Sequence, residues 1–223
     1  MENDNYKVKL LHKNVLDNEY VSFDFEKPKG YSFVEGQYSI FKLLNKEVEG
    51  KDFRIFSIAS TNDEPYIRIA TRIPAKHSDY KDCLMNLSEG EEISMTSPKG
   101  KFILDPTRTA VFIAGGIGIT PIRSMILSKA KKSSCEKDEL IYSELESCYP
   151  YHDELEHVAG LHIDYAADIE PTQQVISANV QKYGNEAVYY ISGSPGFVKG
   201  ISGLLKDNGI LSENIRHDLF VGY

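Results

Sequence analysis

The chain has 223 residues, enough for one large domain or two modest ones with working cores, and its 41% hydrophobic content argues against disorder. A formal net charge of −8 excludes nonspecific binding to nucleic acid or to an anionic membrane, both of which need a basic field. No segment approaches a membrane span and the opening MENDNYKVKL lacks the apolar stretch of a signal peptide, so a soluble, cytoplasmic, monomeric protein with no membrane insertion is expected.

Up to about Phe102 the chain reads as short strands. YKVKLLHKNV, YVSFDFE, QYSIFKL, FRIFSIAS, YIRIATRI, EEISMTS and KFIL are rich in β-branched and aromatic residues, and turn residues such as PKG and NDEP separate them. Many short strands at this spacing predict a closed or nearly closed antiparallel β-barrel, which also removes exposed edges. One helical interruption is expected around Ser78 to Leu87, before the turn SEGEE.

After LDPTRT the pattern changes. AVFIAGG is a fully apolar strand, PIRSMILSKAKK has helical spacing, ELIYSEL is a strand and YHDELEHVAG a helix. LHIDYAAD, TQQVISANVQKYG, EAVYYISGS and FVKGISGLLKDNG follow as strand and helix in turn. Strands alternating with helices predict βαβ units around a parallel sheet. The expected fold is therefore two-domain: an antiparallel β-barrel over residues 1–106 and an α/β parallel-sheet domain over residues 107–223, with the boundary near Asp105 to Thr109, where Pro106 interrupts pairing.

The chemistry concentrates in FIAGGIGITPIRSM, Phe112 to Met125. A strand that stops at glycines and opens a helix leaves backbone N–H groups at the helix's positive end, where they can bind a pyrophosphate. Gly115, Gly116 and Gly118 let the backbone approach a ligand, and Ile117 lies between them. The spacing reads G-x-G-x-x-P, with Pro121 where the usual dinucleotide fingerprint has its third glycine. Proline suits a first helical turn, yet it implies a different packing of helix on strand, and a bare structural turn remains the alternative. The next strand should end near an adenosine ribose, and its end offers Ser143, Glu144 and Glu146 but no arginine for a 2′-phosphate. This favours NADH over NADPH.

Other signals are blander. Cys83, Cys135 and Cys148 lack the spacing of a zinc or iron–sulfur site and read as reduced thiols, and His152 and His157 miss the i, i+4 spacing of a helical metal pair, so no metal is expected. Lys129, Lys131 and Lys132 suit an acidic partner or, more simply, a solvated helix end.

In order along the chain, RIFSIAS, GGIGITP and ISGSPGFV resemble the R-x-[YF]-[ST] flavin motif and the nicotinamide domain of the ferredoxin–NADP reductase superfamily, and EGQY, AKHSDY and SPKGKF resemble weaker signatures of its barrel. The resemblance implies a bound FAD and a nicotinamide dinucleotide. Arg54 would pair with the FAD pyrophosphate, Phe56 would pack on the flavin in place of the usual tyrosine, and Ser57 would approach flavin N5. Ile55, Ile69, Ala70, Thr71, His77, Ser78 and Thr120 complete the implied FAD set. Gly193, Ser194 and Pro195 match a segment bordering the nicotinamide, together with the glycine turn, Thr120 and Pro121. Ser192 stands where many relatives have cysteine, and Phe197 replaces a common methionine. The C-terminal DLFVGY implies an aromatic residue shielding the flavin, Tyr223 rather than Phe220. Ser57, Ser192 and Tyr223 are thus the expected catalytic residues.

The implied reaction passes a hydride from NAD(P)H to FAD and then electrons to an acceptor. No cluster cysteines or haem domain are recognised, so the acceptor is expected to be separate: a ferredoxin, a flavodoxin, an oxygenase component, a free flavin or a quinone. A free-flavin reductase and a noncatalytic electron-transfer or regulatory subunit of a larger complex are the alternatives.

Overall fold

The computed structural model describes residues 5–220. Its first half is an antiparallel sheet of β1 (Asn5–Asp17), β2 (Tyr20–Glu26), β3 (Tyr38–Leu43), β4 (Phe53–Ser57), β5 (Tyr66–Arg72) and β6 (Glu92–Thr96). The spatial order is β4-β3-β6-β1-β2-β5. A tight turn in which Asn18 takes a positive φ of 38° joins β1 to β2. The two outer strands curl toward each other, and just past β4 the Ala59 N–H donates to the Arg68 carbonyl of β5 at 2.8 Å. That contact nearly closes the barrel. Alternate residues fill the interior, including Val8, Phe23, Phe25, Phe41, Ile67, Ile69 and Met95. Helix α1 (Asp79–Met85) adds Tyr80 and Leu84 to this core, and the Tyr80 hydroxyl donates to the Phe41 carbonyl at 3.0 Å.

KFIL does not form the expected strand. Gly100 at a φ of 101° precedes the run and Pro106 follows it, so the segment joins no ladder. Its apolar residues fasten the connection to the second half instead: Phe102 is buried and meets the Tyr190 ring edge-on, with centroids 5.8 Å apart.

The second half alternates β7 (Ala110–Gly115), α2 (Ile119–Lys132), β8 (Glu139–Ser143), α3 (His152–Glu156), β9 (His162–Ala166), α4 (Ile169–Tyr183), β10 (Val188–Gly193), α5 (Pro195–Asp207) and β11 (Ile215–Leu219). All strand pairs are parallel, in the order β11-β10-β7-β8-β9. Covered on both faces by helices, β10 is buried throughout, as its continuous apolar run predicts. Two elements differ from expectation. YHDELEHVAG is helical only over its first part, because the chain turns back through Gly160, at a φ of 81°, to enter β9. The last strand, IRHDL, was not expected; it is a polar edge strand whose pairing to β10, rather than any apolar pattern, holds it in place.

The antiparallel sheet ends with β6 and the parallel sheet begins with β7. Strand order reverses between β7 and β10, and in open parallel sheets ligands bind outside the carboxyl ends of the strands at such a switch point. Gly115 and Gly193 are the two residues that end there. Among the described residues no helix is long and apolar enough to cross a membrane, and all the cysteines are free.

Candidate flavin and dinucleotide site

The glycine turn is built by close backbone approach. After Gly115 the chain makes a single 3-10 turn, Gly116–Gly118, and runs straight into α2, with Pro121 in its first turn. A Cβ on Gly118 would lie 2.2 Å from the Ser192 carbonyl oxygen, so the turn rests directly on β10. A Cβ on Gly115 would lie 2.8 Å from the Phe197 ring, which opens α5. The close helix-to-strand packing that a third glycine supplies in the usual fingerprint is supplied here by Gly118, which is why proline is accommodated at position 121.

Two adjoining cavities open around this turn. The smaller, about 230 Å³, is walled by Arg54, Ile55, Phe56 and Ser57 of β4, Ala70 and Thr71 of β5, Ile117 and Thr120 of the glycine turn, and Asp218 to Phe220 at the end of β11. The larger, about 720 Å³, lies between the halves. Barrel residues Tyr20, Arg72, His77 and Ser78 face Gly115, Gly116, Ser143, Glu144 and Ser194 across it. Lys81 and Ile117 line both cavities and so mark the neck between them.

Cations gather at that neck. The Arg54 guanidinium lies 4.8 Å over the Tyr80 ring and donates only to the backbone carbonyls of Lys51 and Phe53, at 2.7 and 2.8 Å; among the described residues no carboxylate is paired with it. Lys81, nearly buried, donates to the Arg72 carbonyl at 2.7 Å. Burial, then the charges of Arg54 and Arg72, hold its ammonium below the usual lysine range. Ser78 occupies the N-cap position of α1 but makes no side-chain cap; its buried Oγ has no partner. An orphaned hydroxyl beside a cluster of cations fits a phosphate oxygen.

At the inner end of the smaller cavity Ser57 Oγ donates to Asp218 Oδ2 at 2.7 Å, joining the barrel to β11. Burial raises the Asp218 carboxyl above its ordinary value, although the Ser57 bond opposes this. On the wall of the larger cavity the Tyr20 hydroxyl donates to Glu144 Oε2 at 2.6 Å, and that carboxylate stands over Gly116. Arg72 bridges Glu19 at 2.8 Å and Glu146 at 2.7 Å. The segment IYSELES offers no arginine, but the fold brings one to it from the barrel.

Most of the residues singled out in the sequence therefore line one cavity or the other. Ile69 faces the barrel core. Gly118 and Pro121 are buried in the turn, Gly193 is buried at the end of β10 and Pro195 is exposed at the start of α5, and none of the four lines either cavity. Ser192 is fully buried, lines neither cavity and leaves its Oγ unpartnered. Tyr223 lies outside the described residues, whereas Phe220 does reach the smaller cavity and packs with Tyr20, Ala70 and Ile117. Lys81, Arg72, Tyr20 and Asp218 escaped sequence reasoning, because each belongs to an element remote in sequence from the motif it faces.

The fold is similar over nearly its full length to solved flavoenzymes. The flavohem-like FAD/NAD-binding domain of nitric oxide dioxygenase from Vibrio cholerae superposes with a TM-score of 0.82 at 17% identity, covering 97% of this chain and 99% of that one. Ferredoxin-NADP+ reductase from Plasmodium falciparum superposes with a TM-score of 0.81 at 19% identity, covering 99% and 98%. In sequence the chain is 26% identical over 238 residues to the flavohemoprotein of Bacillus subtilis (strain 168), an alignment that takes in 96% of this chain and 59% of the relative. The chain thus spans about 60% of the length of the curated relatives it matches first. No family model matches. The resemblance carried by RIFSIAS, GGIGITP and ISGSPGFV is borne out: the chain has the two-domain fold of the ferredoxin–NADP reductase superfamily.

Proposed function

We propose that the chain is an FAD-dependent reductase that takes a hydride from NADH or NADPH and passes electrons to a separate acceptor. Residues 1–106 hold the flavin and residues 107–223 the nicotinamide dinucleotide. The observation that carries this reading is the neck between the cavities, where Arg54 and Lys81 bring positive charge to the junction of a small, mostly apolar slot and a larger cleft between the halves. A flavin dinucleotide has that shape and charge: a planar ring for the slot, a diphosphate for the neck and a nucleoside for the cleft.

When bound, the flavin supplies hydride acceptance and electron release in one- or two-electron steps. The chain supplies position. Phe56 and Phe220 give the slot aromatic walls, and Arg54 and Lys81 neutralise the diphosphate. Ser57, fixed by Asp218, presents its hydroxyl at the inner end of the slot. The glycine turn offers the α2 N-terminus to the second dinucleotide, and Ser194 and Phe197 border its nicotinamide half. Orientation of the reacting groups at near contact is the main contribution to rate, and no acid–base pair is required. Ile55 and Leu219, 53% and 43% exposed, form an apolar rim on the slot, and electrons leave there for the acceptor, a ferredoxin, flavodoxin, oxygenase component, free flavin or quinone.

Purification followed by flavin analysis tests the reading: yellow protein with one FAD per chain is expected. Colourless protein that oxidises NADH only with added flavin would make it a free-flavin reductase. Loss of ferricyanide reduction as well would leave a noncatalytic subunit.

The lowered Lys81 ammonium gives a pH signature. A bound diphosphate raises its proton affinity again, so binding takes up a proton at pH values between the lowered free value and the raised bound value. FAD affinity should therefore weaken as pH rises through the free value, and in Lys81→Met this pH dependence of FAD titration should disappear.

Glu144 at the end of β8 is placed to accept from ribose hydroxyls, and Arg72 is already matched by Glu19 and Glu146. NADH is therefore favoured over NADPH. Glu146→Gln loosens Arg72 toward a 2′-phosphate and should narrow the NADH-to-NADPH ratio of kcat/KM by about tenfold, the scale of one released charge-assisted contact. An unchanged ratio would put the discrimination elsewhere.

A further inference from the structure

We propose that Arg123 is a positioning residue that sets the distance between the flavin strand and the nicotinamide cradle, a role that rests on the reading of the two cavities given above. Arg123 projects from the second turn of α2, and its guanidinium is 1% exposed. Its Nε and Nη2 grip both oxygens of Glu154 on α3, at 2.6 and 2.7 Å. Its remaining terminal nitrogen, Nη1, donates across to the barrel, to the Ala59 carbonyl at 2.5 Å. Glu64 of the barrel lies 3.6 Å from the same nitrogen, and the Tyr151 ring is 4.9 Å from the guanidinium carbon.

The target of that third bond is what gives it meaning. Ala59 lies two residues past the end of β4 and donates its own N–H to Arg68, so its carbonyl reports the position of the strand end that carries Ser57. Ser57 is itself bonded to Asp218 of β11. The segment from Ser57 to Ala59 is thus tied to the α/β half at both ends, once through β11 and once through the helix that the glycine turn opens. A buried guanidinium is a costly anchor, since an apolar side chain of similar volume packs without desolvating a charge. What an apolar side chain lacks is a directed bond to one particular carbonyl, fixed in turn by a forked grip on Glu154.

Arg123 touches neither cavity, so it acts through the backbone it holds. Hydride transfer needs near contact, and a displacement of about 1 Å can slow it by about 100-fold. Arg123→Lys keeps the charge opposite Glu154 and Glu64 but cannot make the fork and reach Ala59 together. In the full FAD-loaded chain, reduction by saturating NADH should fall by about 10- to 100-fold, while the Kd for NADH, the flavin content and the melting temperature hold. The long-wavelength NADH–flavin charge-transfer absorbance should weaken, and in the flavin-free chain amide exchange over residues 57–60 should quicken. Arg123→Met with Glu154→Gln, which removes the buried cation together with the exposed carboxylate it grips, should reproduce these effects if Arg123→Lys folds poorly.

A reduction rate within twofold of wild type in both variants overturns the proposal. So does a loss of rate that tracks loss of flavin or of melting temperature, which would make Arg123 an ordinary structural anchor. A wild-type chain that binds FAD but is not reduced by NADH overturns the functional reading instead, and the proposal with it.

Discussion

Arg54→Met should strip the flavin from the protein, raising the Kd for FAD by about 100-fold, or about 2.7 kcal/mol. The side chain's present contacts are the nearby carbonyls of Lys51 and Phe53 and the Tyr80 ring, none of which needs it for folding. Methionine keeps the apolar stem over the ring and removes the fork that would meet a diphosphate, and hydrogen bonds to charged groups contribute about 1.5–3 kcal/mol each. The flavin-free variant should accordingly melt close to the wild type while failing to hold FAD in an equilibrium dialysis measurement. Wild-type affinity in this variant would mean that the neck between the cavities is not where the diphosphate lies. A large drop in melting temperature would mean instead that Arg54 is a structural residue.

Gly118→Ala should weaken NADH binding by at least about 100-fold and loosen the α/β half. The added Cβ would lie 2.2 Å from the Ser192 carbonyl oxygen, 2.5 Å from its carbon and 2.8 Å from the Gly193 nitrogen, all of them backbone atoms of a fully buried strand. No side chain can swing aside, so α2 must lift off the sheet and carry the glycine turn with it. Overpacking of this kind costs about 1–3 kcal/mol, sometimes more, and displacement of the turn should raise the Kd for NADH by at least about 100-fold. Gly203→Ala in α5 is the matched control. Its Cβ would meet nothing within 4 Å, and alanine in a helix interior is favoured over glycine by about 0.5–1 kcal/mol. Denaturant melts and NADH titration of the two variants should move in opposite directions in stability, and only Gly118→Ala should lose the nucleotide.

Local backbone chemistry was legible in the sequence; the company each motif keeps was not. GGIGITP announces a strand stopping at a helix start, because glycine and proline carry their conformational meaning with them. That Gly118 packs on Ser192, and that this contact frees position 121 to be proline, depends on a strand some seventy residues later in the chain. RIFSIAS likewise marks a strand with a guanidinium, an aromatic ring and a hydroxyl. Its partners Lys81 and Asp218 come from a short helix and a polar edge strand, neither of which has a pattern pointing at β4. KFIL misled for the converse reason: β-branched and aromatic residues fit a pleated surface, but equally an inter-sheet contact such as that of Phe102 with Tyr190. Ser143, Glu144 and Glu146 were visible at the end of β8, yet the arginine that answers Glu146 arrives from β5. Arg123 sat in plain view, two residues beyond Pro121, and nothing in its neighbours' identity shows that it turns inward to a barrel carbonyl.

The central claim is that the two cavities bring a flavin and a nicotinamide together within one chain. Anaerobic stopped-flow mixing of the FAD-loaded protein with NADH and with NADPH, followed at the flavin absorbance, tests it most directly. The flavin should bleach in a single turnover, with NADH the more effective donor at equal concentration. A flavin that stays bound and oxidised in the presence of either nucleotide would contradict it.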